Sequence, residues 1–305
     1  MAVESYLTLD SMTDILANLP EPKRLLLDQL VAQLSQIPGM AAIVLGGSYA
    51  SGAQHAQSDM DIGLYYDEAS PFAVDDIRRV AEGIAVDGAV TVTDFYEWGA
   101  WVNGGAWIGA SAGKVDFLYR NLAQVQRTIS QAQQGIVHHD YDQQPTYGFY
   151  SVIYLAETAI CKPLFDPTGQ IVALKQQVAL YPPQLKKQIV AGSLWAAEFS
   201  LLFARNFAAQ GDVYNTVGCL TRVASNLTQA LFALNETYFM RDKKVMETIG
   251  AFPILPAGYV QTLNGILAHP GSTASALTKA TDELTKVWTA VTQLGETRYE
   301  PRFKI

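Results

Sequence analysis

Gly46-Gly47-Ser48-Tyr49-Ala50-Ser51-Gly52, followed after a short spacer by Ser58-Asp59-Met60-Asp61-Ile62-Gly63-Leu64-Tyr65-Tyr66, is the stretch on which the fold turns. The first run leaves a short apolar strand, Ala41 to Leu45, through a Gly-Gly-Ser turn, and the second sets two aspartates on another apolar strand. Side chains at i and i+2 of a strand leave the same face, so Asp59 and Asp61 are expected to point together. Like charges repel, and each loses hydration as a site closes, so the pair makes sense with a cation between the carboxylates. Mg2+ takes hard oxygen ligands, usually one or two carboxylates, and completes its shell with substrate phosphates and water. The glycines let backbone approach a ligand closely, Ser48 adds a hydroxyl, and a short helix after the turn is expected to aim N–H groups at an anion. The bland alternative is a surface hairpin with Ser58-Asp59 in its turn, which leaves Asp61 unpartnered in an apolar strand.

An apolar strand, Gly-Gly-Ser, a spacer of about ten residues and Asp-x-Asp on the next strand together resemble the signature of the DNA polymerase β-type nucleotidyltransferase superfamily. The resemblance is specific from Ala41 to Tyr66. It implies that Gly47 and Ser48 hold a triphosphate and that Asp59 and Asp61 ligate metal. It also gives a place to Asp116, which stands in the short apolar strand Lys114-Val115-Asp116-Phe117-Leu118-Tyr119-Arg120 where the superfamily carries a third carboxylate. An acid between Val115 and Phe117 is costly unless compensated. A metal shared with Asp59 and Asp61 compensates it, and Asp116 then ligates the ion that activates the acceptor hydroxyl and helps to deprotonate it. A pairing with Lys114 or Arg120 at a strand edge is the other reading, and Lys114 is also a candidate phosphate contact.

The chain of 305 residues is long enough for two domains, and its composition is that of a soluble globular protein. No apolar run approaches the ~18 residues of a membrane span, and the N-terminus has neither a basic patch nor an apolar segment, so no membrane association and a cytoplasmic location are expected. A net charge of −8 weighs against a sequence-independent grip on nucleic acid and favours a small or cationic acceptor. Cys161 and Cys219 are expected to be buried free thiols rather than a disulfide or a metal pair.

Helices are expected over Thr8 to Asn18 and Pro22 to Gln36, the second with Leu25, Leu26, Leu30, Val31 and Leu34 near helical spacing and Pro38-Gly39 as its stop. Val74 to Ile84 reads as a crossover helix, with Asp75-Asp76 in its first turn as capping charge rather than ligands. A β-branched strand follows over Ala89 to Phe95. Trp98, Trp101 and Trp107, around Gly104-Gly105, fit either a stacking wall for a base or acceptor or core aromatics beneath the sheet. Asn121 to Gln133 reads as a helix with an asparagine cap. His138-His139-Asp140-Tyr141-Asp142 tempts a zinc reading, but adjacent residues rarely chelate one ion and no cysteine is near, so a solvated linker or a loop facing the acceptor is the better reading.

From Tyr150 onward the pattern is helical: Ser151 to Cys161, Gly169 to Leu180, Pro182 to about Gln210, Asp212 to about Tyr238, Pro256 to Ala268 and Ser272 to Leu294. The resemblance adds that kanamycin- and streptomycin-type nucleotidyltransferases pair such an α/β domain with a helical one, some using a glutamate base outside the aspartate set. Glu157 and Glu236, both among apolar residues, are the candidates for that base. Lys243, after Asn235-Glu236-Thr237-Tyr238, is a candidate for the β- and γ-phosphates, its alternative being a solvated helix end.

The expected fold class is therefore α+β: an N-terminal nucleotidyltransferase α/β domain with a mixed sheet (residues 1–135), a linker (136–149), and a C-terminal all-helical bundle domain (150–305). The expected reaction transfers a nucleoside monophosphate, AMP above all, from an NTP held with two Mg2+ ions to the hydroxyl of a small-molecule acceptor, releasing pyrophosphate. A nucleotide-binding regulator, or a protein- or tRNA-modifying nucleotidyltransferase of toxin–antitoxin type, is the alternative. A purely structural helical adaptor is argued against by the three acids, and a homodimer is left open.

Overall fold

The computed structural model describes residues 19–55, 57–141, 143–144, 146–295 and 299–304, so the helix expected over Thr8 to Asn18 lies outside the described residues, as does Asp142. In chain order the elements begin α1 (Glu21–Leu34), β1 (Met40–Leu45), α2 (Gly47–Ser51), β2 (Met60–Tyr66), α3 (Val74–Ile84), β3 (Ala85–Val92), β4 (Gly105–Ala110), β5 (Gly113–Asn121) and α4 (Leu122–Gln133). There follow β6 (His139–Asp140), β7 (Phe149–Tyr150), α5 (Val152–Ile160), β8 (Lys162–Phe165), α6 (Gln170–Gln177), α7 (Pro183–Ala209), α8 (Val213–Leu234), α9 (Val245–Gly250), α10 (Tyr259–Ala268) and α11 (Ala274–Thr292). The chain divides into two compact units, Met1–Ser130 with Tyr154–Leu180, and Gln131–Ile153 with Tyr181–Ile305.

The first unit is built on a six-stranded sheet in the order β3-β4-β5-β2-β1-β8. Its pairs are antiparallel except β2 with β5, which makes the sheet mixed, as expected. Strand alternation sorts the faces. Ile43, Leu45, Ile62, Leu64, Val115 and Phe117 point into one core with Leu27, Leu30 and Leu34 of α1 and Ile77 and Ala81 of α3. The spacing of those three leucines and the start after Pro20 explain why α1 forms and which face it buries. The opposite face carries Asp61, Gly63 and Tyr65 from β2 and Lys114, Asp116, Leu118 and Arg120 from β5.

Two strands escape the sequence pattern. In β4, Gly105 and Gly109 dilute the β-branched signal that marks a strand, and the first strand of that region begins at Ala85 rather than Ala89. At Lys162-Pro163 the chain does not simply stop a helix. It enters β8, which pairs with β1 on the sheet edge, Pro163 opposite Val44, and an edge is where a strand tolerates proline. Residues 154–180 group with the sheet in the first unit.

The second unit is helical but for a small ladder. β6 and β7 pair His139 with Tyr150, their rings stack at 4.0 Å and 8°, and His139 Nε2 lies 2.7 Å from the Tyr147 carbonyl. The stretch expected as a solvated linker is thus partly ordered by ring stacking. Asp212 caps α8 by accepting from the Asn215 amide at 3.1 Å. Leu194, Ala197, Leu201 and Ala204 of α7 and Leu220, Val223, Leu227 and Leu231 of α8 are all 0–1 % exposed. Trp288 of α11 donates its indole N–H to the Leu194 carbonyl at 3.1 Å. α8 ends at Leu234, four residues short of expectation, because Asn235 folds back: its side-chain amide donates to the Leu231 and Ile254 carbonyls and its oxygen accepts from the Ile254 amide. Both cysteines are free, Cys161 buried and Cys219 half-buried. No helix among the described residues is long and apolar enough to cross a membrane.

Glu198, inside α7 and fully buried, is the most demanding charge of this unit. Its carboxylate accepts from the Tyr299 hydroxyl at 2.7 Å and from the backbone amides of Arg302 and Phe303 at 2.7 and 2.6 Å, so it anchors the C-terminal tail. Truncation to Glu198→Ala leaves those three donors unsatisfied. It is expected to cost about 3 kcal/mol in urea unfolding, and to speed tryptic loss of the tail, read by mass spectrometry.

Candidate functional site

The site grows from the parallel register of β2 and β5, in which Asp61 lies directly opposite Asp116. Parallel neighbours in register present side chains on the same face, with the strands about 4.8 Å apart, so the two carboxylates rise side by side. Both are half-buried. Burial, then Asp61, then Asp59 push the Asp116 carboxyl up from its usual 3.8 to about 6, while Lys114 pulls the other way. A carboxyl held up by its acidic neighbours marks a place prepared for positive charge.

Asp59 stands differently. It precedes the first strand residue, Met60, so the alternation rule that set it beside Asp61 does not govern it. It is close enough to repel a charge on Asp116, yet among the described residues no group of three or more His, Cys, Asp or Glu stands together as a metal cage. Asp61 and Asp116 are thus the in-register pair, with Asp59 near enough for its charge to act on Asp116. One or two carboxylates are what Mg2+ usually takes from a protein when phosphates and water supply the rest, so the hard-oxygen pair fits that ion.

The Gly-Gly-Ser turn packs on the same pair. Gly46 donates its amide to the Asp61 carbonyl at 2.8 Å, and Gly47 has φ +57. A Cβ at Gly47 would lie 1.7 Å from Asp61 Oδ2, so only glycine lets the turn close against that carboxylate. Ser48, half-buried, is the second residue of the five-residue α2.

Lys23 is a contributor that sequence reading missed. It is 8 % exposed near the start of α1, donates to the Ser58 carbonyl at 2.5 Å, and lies 4.9 Å above the Tyr49 ring. One ammonium thus holds the residue before Asp59 and the segment after Gly47. In sequence it looks like an ordinary solvated helix-start lysine, and no local signal marks it. Asn103, fully buried, is a second such residue: its oxygen accepts from the Asn121 amide at 2.8 Å and its amide donates to Gln124 Oε1 at 2.9 Å. The expected asparagine cap is present as well, Asn121 Oδ1 accepting from the Gln124 amide at 3.2 Å.

The remaining candidates are placed elsewhere. Glu157 accepts from both Arg120 Nε and Nη2, at 2.9 and 2.8 Å. Burial works against the charge of Arg120, but Glu157 more than offsets it and holds the guanidinium above its ordinary value. This bidentate pair accounts for an acid among apolar residues, and Glu157 would have to break it to act as a base. Glu236 and Lys243 belong to the second unit. There Glu236 pairs with Lys186 at 2.8 Å, with over half its side chain exposed, and Lys243 is exposed.

Residues 27–99, which hold the Gly-Gly-Ser turn and Asp61, match the family model described as a nucleotidyltransferase domain. A second family model, a domain of unknown function designated DUF4037, matches residues 152–243. Among solved structures, the chain is similar to a nucleotidyltransferase-like protein from Exiguobacterium sibiricum 255-15. The two are 11 % identical, with 88 % of this chain and 73 % of that one covered and a TM-score of 0.44. No curated protein matches the chain. None of these matches singles out the kanamycin- and streptomycin-type branch.

Two outcomes test the site's electrostatics. The raised carboxyl of Asp116 contributes stability that is fully present below the unfolded pKa and lost as pH rises through about 6. In divalent-free buffer, Asp116→Asn is therefore expected to be more stable than the parent at pH 7.5 by about 1 to 2 kcal/mol after allowance for solvent screening. The difference should vanish below pH about 4, as thermal unfolding across pH will show. Lys23→Met removes a charge-assisted bond to the Ser58 carbonyl and is expected to lose about 2 kcal/mol, with Lys23→Arg recovering part of it.

Proposed function

We propose that the chain transfers a nucleoside monophosphate from a metal-bound nucleoside triphosphate to an acceptor hydroxyl, releasing pyrophosphate. The observation that carries this reading is the Asp61–Asp116 pair in register beneath a glycine turn that only Gly47 can close. The match of residues 27–99 to the nucleotidyltransferase domain supports the same reaction class.

In this reading Asp59, Asp61 and Asp116 would hold Mg2+, the last two from their in-register positions. The ions, two in the full arrangement, neutralise the triphosphate and favour departure of pyrophosphate when bound. Gly47 leaves room for phosphate oxygens beside Asp61, and Ser48 offers them a hydroxyl. The acceptor oxygen attacks the α-phosphorus, the bond to the β-phosphate breaks, and pyrophosphate leaves with the electron pair. Asp116 receives the acceptor's proton, as a carboxylate set beside the attacking oxygen can. Glu157 stays with Arg120 and serves the scaffold. Positioning and charge stabilisation then supply most of the rate, as in phosphoryl transfer generally. ATP as donor and a small, neutral or cationic acceptor are the finer parts of the proposal, the second favoured by the net charge of −8.

Incubation with each labelled NTP, Mg2+ and a cell extract should give a labelled small molecule together with pyrophosphate. Label appearing in protein or RNA would reassign the acceptor, and nucleotide binding without pyrophosphate would make the chain a regulator. Asp61→Asn, folded by circular dichroism, is expected to lose about a thousandfold in pyrophosphate release, and turnover at the parental rate would overturn the mechanism.

A further inference from the structure

We propose that the Trp98–Trp107 indole stack is the platform that receives the nucleobase of the triphosphate, an assignment that rests on the nucleotidyl-transfer reading above. Trp107 lies in β4 opposite Asp116 in β5 and Thr91 in β3. Its neighbours Ala106 and Ile108, at 0 and 2 % exposure, belong to the core, so the indole stands on the acid-bearing face, one strand over from Asp116. Gly105, two residues earlier on that face, has no side chain. A Cβ there would fall 3.3 Å from Trp107 Cη2, which shows the indole lying back over the glycine, flat along the sheet rather than upright.

Trp98 covers it. The two rings are 4.0 Å apart between centroids and inclined by 20°, and Trp98 remains 45 % exposed. Aromatic side chains in contact more commonly meet edge-on or offset, as Trp101 does with Tyr154 at 5.8 Å and 67°. Trp101 is further tied by its carbonyl, which accepts from the Tyr154 hydroxyl at 2.7 Å, and belongs to the scaffold. The three tryptophans that sequence alone could not sort therefore divide into one packing residue and one layered pair.

The loop bearing Trp98 is braced beforehand. Asn103 is bonded to the Asn121 amide and to Gln124, Gln124 donates to the Ala100 carbonyl at 2.9 Å, and the Tyr96 hydroxyl accepts from Asn121 and donates to Glu68. A ring arriving on a braced surface orders little more than itself, which is the condition for stacking to show as affinity. The ribose and α-phosphate separate a base from its metal-bound oxygens, and the stack stands aside from the acids in the same way, on the next strand and one indole layer above the sheet. Stacking on an indole is tolerant of which base is present, so the platform favours nucleotides as a class over one base.

Calorimetry of the parent protein and of Trp98→Ala, with MgATP, MgCTP and magnesium tripolyphosphate as ligands, tests the assignment. The parent is expected to bind MgATP and MgCTP about tenfold or more tighter than tripolyphosphate. Trp98→Ala should lose that advantage for both nucleotides while its tripolyphosphate affinity stays parental, and Trp98→Tyr should keep most of it. Trp107→Phe, which retains a ring, guards against a misfolded alanine variant and should weaken nucleotides only a fewfold. Parental MgATP affinity in Trp98→Ala, or a parent that binds MgATP no tighter than tripolyphosphate, overturns the platform and leaves the metal–triphosphate reading standing. A parent that binds none of the three ligands overturns both.

Discussion

The parallel pairing of β2 with β5 is the constraint on which the rest of the site depends. Among the described residues it is the one parallel pair in the sheet, and its register sets Asp61 against Asp116. A slip of one residue would turn either acid into the core, where Ile62 and Phe117 are fully buried, so the hydrophobic pattern itself enforces the juxtaposition of charges. The repulsion this creates is an energy stored against a ligand: the fold tolerates it because apolar burial on the other face is larger.

One sheet face handles buried charge in two ways. At the Asp116 end of β5, acids face acids and the carboxyl is pushed up to about 6. Four residues on, Arg120 on the same face is fully met by Glu157, by the Tyr119 carbonyl at 2.9 Å and by the Tyr154 ring at 5.5 Å. A satisfied ion pair fixes α5 against the sheet, and two acids set side by side favour a cation between them. The contrast runs along a single strand, and it is the reason Glu157 reads as support although the family resemblance made it a candidate base.

Much of this was legible beforehand. The Gly-Gly-Ser turn, the apolar strands around it, α3, the asparagine cap of α4 and the long helices α7 and α8 all follow from local pattern, because each is specified by residues within a turn or two of one another. β4 and β8 were not legible: glycines and a proline suppress strand propensity, and both strands are paid for by neighbours far away in sequence. Lys23 illustrates the same limit. Its partner, the Ser58 carbonyl, is thirty-five residues on, and nothing local distinguishes a lysine that will be buried from one that will not.

From the order of residues alone came the proposed reaction class, since a glycine turn followed by strand-borne aspartates is a local pattern suited to phosphate and metal that does not wait for the fold. Tertiary structure decided which acids stand together, because register between strands whose partners lie fifty-five residues apart is set by side-chain packing across the sheet and not by either strand. It also divided the tryptophans and committed Glu157 to Arg120. Those are questions of who meets whom, and only the closed sheet answers them.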